Sequence, residues 1–236
     1  MSNPTIVLVH GSFADASGWN GVINRLQSDG YTVYAPPNLL RDIPTDAAYI
    51  RDFLGTIEGD VVLAGHSYGG AVITNAAKGL TNVKALVYIA AFALDDGESV
   101  ADAGALAGST ANLLEAIDIR PFPGAGEGNG DGYIKTELFH QAFCQDLPDE
   151  VAAAMAAGQR PGALASFVIP SGPPAWKDIL SYYLVASQDR VIDPAAERIM
   201  AERAGATVVE IDSSHVAMIS HPDEVADLIR RAATAA

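Results

Sequence analysis

The chain has 236 residues, of which 49% are hydrophobic and 18% are charged, and its formal net charge at pH 7 is −15. That length suits one α/β domain with a sizeable buried core. The acidic balance opposes binding to nucleic-acid phosphates and to anionic membranes, so neither is expected as a partner. No apolar run reaches the roughly 18 residues of a membrane span, and the first ten residues lack the pattern of a signal peptide, so we expect a cytoplasmic protein.

The first ninety or so residues alternate between strand and helix patterns. Residues 5–9 form a continuous apolar, β-branched run, which is typical of a parallel strand buried on both faces. Apolar residues at helical spacing follow, and the alternation continues with short connections, which predicts right-handed βαβ units and a parallel sheet. The predicted elements of this part are strands at 5–9, 32–35, 60–64 and 83–91, and helices at 19–26, 45–57 and 68–78.

Residues 92–178 interrupt this alternation. They contain Ala-rich helical pieces, a Gly-rich stretch at 124–132 and proline clusters, and none of these shows the buried-strand pattern. We therefore expect one domain over residues 1–236, with a mostly parallel sheet of about six strands and an insertion between the fourth and fifth predicted strands. The insertion would lie above the strand C-termini, where open α/β sheets bind ligands. After it, the predicted elements are strands at 182–186 and 207–211 and helices at 194–204 and 222–233.

A G-x-S-x-G motif occupies residues 65–69, between the third predicted strand and the third predicted helix. In that setting the motif is a nucleophile elbow, in which a sharp turn exposes the serine Oγ at the sheet edge. Glycines on both sides allow the strand and helix to approach closely, and the helix N-terminus offers N–H groups to an oxyanion. The alternative is a Gly-rich turn with an incidental serine, which the flanking strand and helix disfavour. We therefore assign Ser67 as the nucleophile.

A serine at its ordinary pKa is a weak nucleophile and needs a general base. Of the five histidines, His215 follows the last predicted strand, at the same edge of the sheet as the elbow. We assign His215 as the base. The other four lie in the first strand-to-helix loop, in the elbow itself, in the insertion and at a helix start: His10, His66, His140 and His221.

The imidazole also needs an acid that fixes its tautomer and stabilises the imidazolium. Asp189 follows the strand at 182–186, again at a strand C-terminus. Asp193 is the alternative, but the proline after it makes a helix N-cap the better explanation. We favour Asp189, because the order Ser67, Asp189, His215 is the chain order associated with this elbow.

An oxyanion hole needs two backbone N–H groups from different segments. Tyr68, directly after the nucleophile, is expected to supply one. The loop after the first strand is the natural source of the second, since Gly11 permits a tight turn that points the N–H of Ser12 toward the elbow. The alternative for this loop is a plain strand-to-helix turn.

We expect neither a metal nor another cofactor. The single cysteine, Cys144, leaves no internal disulfide and no Cys-based zinc site, and there is no dinucleotide fingerprint. Residues 127–132 alternate oxygen-bearing side chains with glycine, as calcium loops do, but the twelfth position is Leu138 instead of a bidentate glutamate. We interpret this stretch as a flexible or hairpin-like loop of the insertion.

With these motifs, the chain resembles the α/β-hydrolase superfamily over nearly its whole length outside the insertion. The matching pieces are residues 7–11, residues 65–70, Asp189 after its strand, and residues 215–220. Within the superfamily, the chain is similar to the small esterases related to plant methylesterases and hydroxynitrile lyases. The resemblance implies that residues 92–178 form a cap over the active site.

Three departures from that group narrow the expected activity. The hydroxynitrile lyases carry Thr where this chain has Gly11 and Lys where it has Val216, and the absence of both disfavours cyanohydrin cleavage. Plant methylesterases usually have a second His-Gly pair where residues 13–17 read Phe-Ala-Asp-Ala-Ser, which puts methylesterase specificity in doubt.

We expect a serine hydrolase that cleaves carboxylic esters of small or medium, uncharged molecules through an acyl-enzyme intermediate. The same triad also serves lactones, including acyl-homoserine lactones, as well as C–C bond hydrolysis and cofactor-free perhydrolysis. In a different class of function, the fold acts as a small-molecule receptor whose triad turns over slowly or only once. An intact triad favours the enzyme, and the sequence leaves the choice of substrate open.

Overall fold

Strands and helices alternate along most of the chain in this computed structural model, which describes residues 3–108 and 113–236. The strands, in chain order, are β1 (Thr5–Val9), β2 (Val33–Tyr34), β3 (Val61–Ser67), β4 (Val83–Ala91), β5 (Ile117–Arg120), β6 (Asp131–Ile134), β7 (Gly162–Ala163), β8 (Leu180–Ala186) and β9 (Thr207–Ile211). The α-helices are α1 (Asn20–Ser28), α2 (Ile43–Leu54), α3 (Tyr68–Ala76), α4 (Val100–Gly104), α5 (Thr136–Phe143), α6 (Asp149–Gly158), α7 (Ala165–Val168), α8 (Pro194–Arg203), α9 (Ala217–Ser220) and α10 (Pro222–Ala235).

Six of these strands form one sheet in the order β2-β1-β3-β4-β8-β9. Each neighbouring pair is parallel, so the predicted mostly parallel sheet of about six strands with flanking helices is confirmed. The central strand β3 is longer than predicted, because it continues beyond Ala64 as far as Ser67. The motif that carries the candidate nucleophile is therefore partly strand, and its serine ends the strand.

The sheet separates two apolar layers, and the alternation of side chains along β1 shows how. Val7 and Val9 belong to the layer that includes buried residues of α2, α3 and α8. Ile6 and Leu8 belong to the opposite layer, with buried residues of α1 and α10. Because successive strand side chains point to opposite faces, an unbroken apolar run is what a strand covered on both sides requires.

Proline and acidic caps set the starts of several helices. Asp42 caps α2, its side chain accepting a hydrogen bond from the N–H of Thr45 at 2.7 Å, and Pro44 lies in the first turn. The helix consequently begins two residues before the predicted start and ends at Leu54, earlier than predicted, with Gly55 as its C-cap. Helix α10 begins at Pro222 as predicted, with a buried apolar stripe along one side.

The insertion between β4 and β8 contains strands that the sequence analysis did not predict. β5, β6 and β7 form a small antiparallel sheet in the order β5-β6-β7. These strands lack the sequence pattern of a buried parallel strand, because three of the four β5 residues are exposed and β7 has only two residues. The Gly-rich stretch lies largely in the connection between β5 and β6, which are paired as a hairpin from Ile117 opposite Ile134 to Arg120 opposite Asp131.

The described part of the chain contains no helix with both the length and the apolar character needed to cross a bilayer.

Candidate active site

Ser67 lies where β3 meets α3, in a strained backbone conformation. Its φ of 53° and ψ of −125° are rarely adopted by a residue with a side chain. The N–H of Phe92 donates to the carbonyl of Ser67 at 3.1 Å and helps to hold the turn. Strain of this kind persists only where the surrounding structure enforces it, and it is concentrated at functional sites.

Three glycines allow the backbone segments around this turn to approach each other. A Cβ at Gly65 would lie 2.6 Å from the carbonyl oxygen of Gly69, and a Cβ at Gly69 would lie 2.4 Å from the carbonyl oxygen of Val9. A Cβ at Gly11 would lie 2.6 Å from the Cβ of Ser67. The loop after β1, the end of β3 and the start of α3 therefore meet at distances that no larger residue permits.

His215 and Asp189 form a fully buried pair at the C-terminal edge of the sheet. The Nδ1 of His215 donates to the Oδ2 of Asp189 at 2.5 Å, and both side chains are completely buried. The other oxygen of Asp189 accepts hydrogen bonds from the backbone N–H groups of Val191 at 2.7 Å and Ile192 at 3.0 Å. These bonds hold the carboxylate in place, and the bond from Nδ1 leaves Nε2 as the basic nitrogen of the ring.

The His215 segment is attached to the strand that carries Ser67. His66, the residue before Ser67, donates from its Nε2 to the backbone carbonyl of His215 at 2.9 Å, and the two imidazole rings are 4.7 Å apart. Burial, with the neighbouring His215, lowers the pKa of His66 well below its usual value, so His66 is neutral. The Nε2 of His215 has no hydrogen-bond partner among the described residues and is free to accept a proton.

The rival residues have other contacts. Asp193 is the N-cap of α8, accepting from the N–H of Ala195 at 2.8 Å. His10 is buried and orders its own loop, since its Nδ1 donates to the carbonyl of Gly11 at 2.9 Å and its Nε2 accepts from the N–H of Asn38 at 3.0 Å. His140 contacts Leu147 and Asp149 in the insertion, and His221 contacts Ser220.

Ser67, Tyr68 and Ser12 line one cavity of about 720 Å³. Most of the remaining lining belongs to the insertion and is apolar, and Glu127 is the only charged residue among the described lining residues. The backbone of Gly11 lies against Ser67, and the N–H of Tyr68 belongs to the first turn of α3, where it lacks an intrahelical partner. The residues predicted to supply the nucleophile and both oxyanion donors therefore face the same space.

The sequence analysis missed a buried acid that contacts Tyr68. Asp46 on α2 is fully buried, and its Oδ2 accepts a hydrogen bond from the Tyr68 hydroxyl at 2.8 Å. Its oxygens also accept from the N–H of Arg41, at 3.2 and 3.1 Å. Burial raises the pKa of Asp46 to about 6 and, with the nearby Asp46, raises the pKa of Tyr68 above its usual value. An acid in a helix first turn is so common that nothing in the sequence pointed to this contact.

The described residues contain no cluster of three His, Cys, Asp or Glu side chains that could hold a metal ion. In the stretch considered as a calcium loop, Asn129 accepts from the N–H groups of Gly130 and Ala165. Asp131 forms a salt bridge with Arg41 at 2.9 Å. These side chains therefore serve to fasten the hairpin loop.

Comparison with known proteins identifies the family. A model of the alpha/beta hydrolase family matches residues 6–228. The chain belongs to this family. A carbendazim hydrolyzing esterase from Nocardioides sp. is 30% identical over 249 residues, which cover 94% of this chain and 96% of the relative. A pyrethroid hydrolase from Sphingobium wenxiniae is 26% identical over 252 residues, which cover 97% of this chain and 87% of the relative.

A solved structure shows the same fold. The crystal structure of a methylesterase from Arabidopsis matches with a TM-score of 0.81 at 20% identity, over 98% of this α/β hydrolase and 99% of that chain. The resemblance to the superfamily stated from the sequence motifs is therefore confirmed, and a plant methylesterase shares the architecture. Membership of the family supports hydrolase activity.

Replacing Gly69 by Ala is expected to destabilise the protein by about 3 kcal/mol or more, because the new Cβ would overlap the carbonyl of Val9. Gly104→Ala is the matched control, since a Cβ at Gly104 in α4 meets nothing within 4 Å, and it should be neutral or slightly stabilising. Urea unfolding measures both. Equal stabilities of the two variants would contradict the close approach at the elbow.

Asp46→Asn is expected to reduce the pH dependence of stability. The pKa of Asp46 is about 6 in the folded protein against an ordinary 3.8, so folding favours its protonated form. That contribution is complete below about pH 4 and is lost as the pH rises through 6. Between about pH 4 and pH 8, the free energy of unfolding of the unsubstituted protein should fall by roughly 3 kcal/mol more than that of the variant. If urea unfolding gave the same pH dependence of the free energy of unfolding for Asp46→Asn and the unsubstituted protein, this role for Asp46 would be excluded.

Proposed function

We propose that this α/β hydrolase is a serine hydrolase that cleaves carboxylic esters of small or medium, largely uncharged molecules through an acyl-enzyme. One observation carries the proposal: the strained Ser67 faces an apolar cavity, while the buried His215–Asp189 pair is bonded through His66 to the same strand. A nucleophile, a base and an orienting acid at one sheet edge is the arrangement that acyl transfer needs.

The reaction follows from the roles of these groups. Nε2 of His215 takes the proton of Ser67 as Oγ attacks the ester carbonyl carbon, and Asp189 stabilises the imidazolium. The N–H groups of Ser12 and Tyr68 hold the oxyanion. Collapse breaks the C–O bond, and the alcohol leaves with the proton from His215. Water, deprotonated by His215, then attacks the acyl carbon; the bond between that carbon and Ser67 Oγ breaks, the carboxylic acid leaves, and the proton on His215 returns to Oγ.

The cavity supports the substrate class. Its described lining contains no lysine or arginine, and the chain carries a net charge of −15, so an anionic substrate gains no stabilisation there. A volume of about 720 Å³ suits a molecule of drug-like size. The names of the carbendazim hydrolyzing esterase and the pyrethroid hydrolase support hydrolysis of small molecules. We further propose that residues 92–178 act as the cap of a single domain spanning residues 1–236, because they supply most of the lining.

Ser67→Ala should lower turnover on the order of 10³-fold or more, because it removes the nucleophile but leaves binding intact. Release of p-nitrophenol from acyl esters of increasing chain length measures the rate, and the optimum length sizes the acyl pocket. Retained turnover in Ser67→Ala would refute the mechanism. A single stoichiometric burst from the unsubstituted protein would favour a receptor, and turnover of lactones alone would favour a lactonase.

Asp189→Asn and Asp193→Asn form a matched pair that tests the assignment of the acid. Asp189→Asn should lower kcat by roughly 10³- to 10⁴-fold, because an amide no longer fixes the imidazole tautomer or balances its charge. Asp193→Asn should keep kcat within about threefold, since Asn caps helices as well as Asp does. The reverse pattern in the same p-nitrophenyl assay would transfer the role to Asp193.

A further inference from the structure

A fully buried carboxyl group lies behind Asp189, and the reaction above does not use it. Glu197 is in the first turn of α8 and is completely inaccessible to solvent. Its Oε2 accepts a hydrogen bond from the N–H of Ala186 at 3.2 Å, at the end of β8. Its Oε1 has no partner of its own among the hydrogen-bond donors of the described residues. A buried acid with one weak donor is costly unless it is neutral.

The Glu197 side chain is within hydrogen-bonding contact of the Asp189 carboxyl group. Two ionised carboxylates cannot share a buried contact, so one of them holds a proton. Asp189 accepts hydrogen bonds from two backbone N–H groups and from His215, so the proton between the two carboxyl groups is carried by Glu197. Burial, reinforced by the charge of Asp189, raises the pKa of Glu197 well above its usual value.

Among the described residues, no lysine or arginine side chain pairs with the Glu197 carboxyl group. Tyr183 on β8 is a neighbour of Glu197, and the Tyr183 hydroxyl donates to the carbonyl of Ala91. Arg198 follows Glu197 on α8, but its guanidinium is half exposed and pairs with Glu210 of β9 at 2.6 Å. The structure describes no salt bridge at Glu197, so a proton is its means of neutralisation.

We propose that Glu197 is a positioning residue, whose protonated carboxyl donates a hydrogen bond to Asp189 and fixes the carboxylate that orients His215. The two oxygens of a carboxylate offer about four acceptor sites, and Asp189 uses three of them on Val191, Ile192 and His215. The Glu197 O–H fills the fourth. This inference rests on the proposed serine hydrolase function.

The test compares Glu197→Gln with Glu197→Leu in hydrolysis of p-nitrophenyl acetate. Gln retains an N–H donor for Asp189 and a carbonyl that accepts from Ala186, so kcat should stay within about threefold. Leu has a similar volume but no donor, and it should lower kcat by roughly tenfold or more with KM unchanged. Glu202→Leu is the control, because Glu202 lies on the same helix and is exposed.

Two further measurements separate positioning from folding and from the function itself. Stoichiometric labelling of Ser67 by a fluorophosphonate counts active molecules, so each kcat refers to folded protein. The far-downfield proton resonance of the His215–Asp189 hydrogen bond should shift in Glu197→Leu and stay in place in Glu197→Gln. An unchanged resonance and kcat in the Leu variant, or equal losses in Gln and Leu, would overturn the inference. If Ser67→Ala retained turnover, the proposed function would fail, whereas the resonance would still test the Glu197 contact.

Discussion

The contact between the backbone of α3 and the end of β1 is the constraint on which the site depends. At Gly69 the chain passes so close to the carbonyl of Val9 that there is no room for a Cβ. That approach places Ser67 at positive φ, at the end of a strand buried between two apolar layers. Since both layers are closely packed, the turn cannot relax without moving the sheet, and the strained conformation is retained.

Buried acids in this protein are held by hydrogen-bond donors instead of cations. Asp189 is bonded by two backbone N–H groups and an imidazole, and Asp46 by a backbone N–H group and a tyrosine hydroxyl. Glu197 has one backbone donor. With 29 acidic and 14 basic residues in the chain, cations are few, and the described salt bridges involve exposed or partly exposed groups apart from the His215–Asp189 pair. Fixed donors position each carboxyl group with more precision than a flexible lysine would.

The insertion is connected to the base of the site at defined points. Arg41, whose N–H bonds Asp46, forms a salt bridge with Asp131 of β6, and its guanidinium stacks over Phe122. The N–H of Ala163 in β7 donates to the carbonyl of Leu40 at 2.9 Å. The small antiparallel sheet is therefore anchored to the segment that leads into α2, and through Asp46 to Tyr68. This path links the walls of the cavity to the residue beside Ser67.

The sequence by itself determined the parallel sheet of about six strands and the G-x-S-x-G turn between the third predicted strand and the third predicted helix. These features follow from local patterns: apolar runs, helical spacing and a glycine motif act over a few residues. It also singled out Asp189 and His215 from their places after strands. Only the tertiary structure brought their side chains into contact across 26 residues, because the parallel pairing of β8 with β9 places both loops at one edge. The strands of the insertion and the buried contacts of Asp46 and Glu197 were likewise revealed only by the tertiary structure. Glu197 lies on the buried face of α8 with Met200 and Ala201, a position that helical spacing could have identified, but the carboxyl it contacts is reached only through the folded sheet.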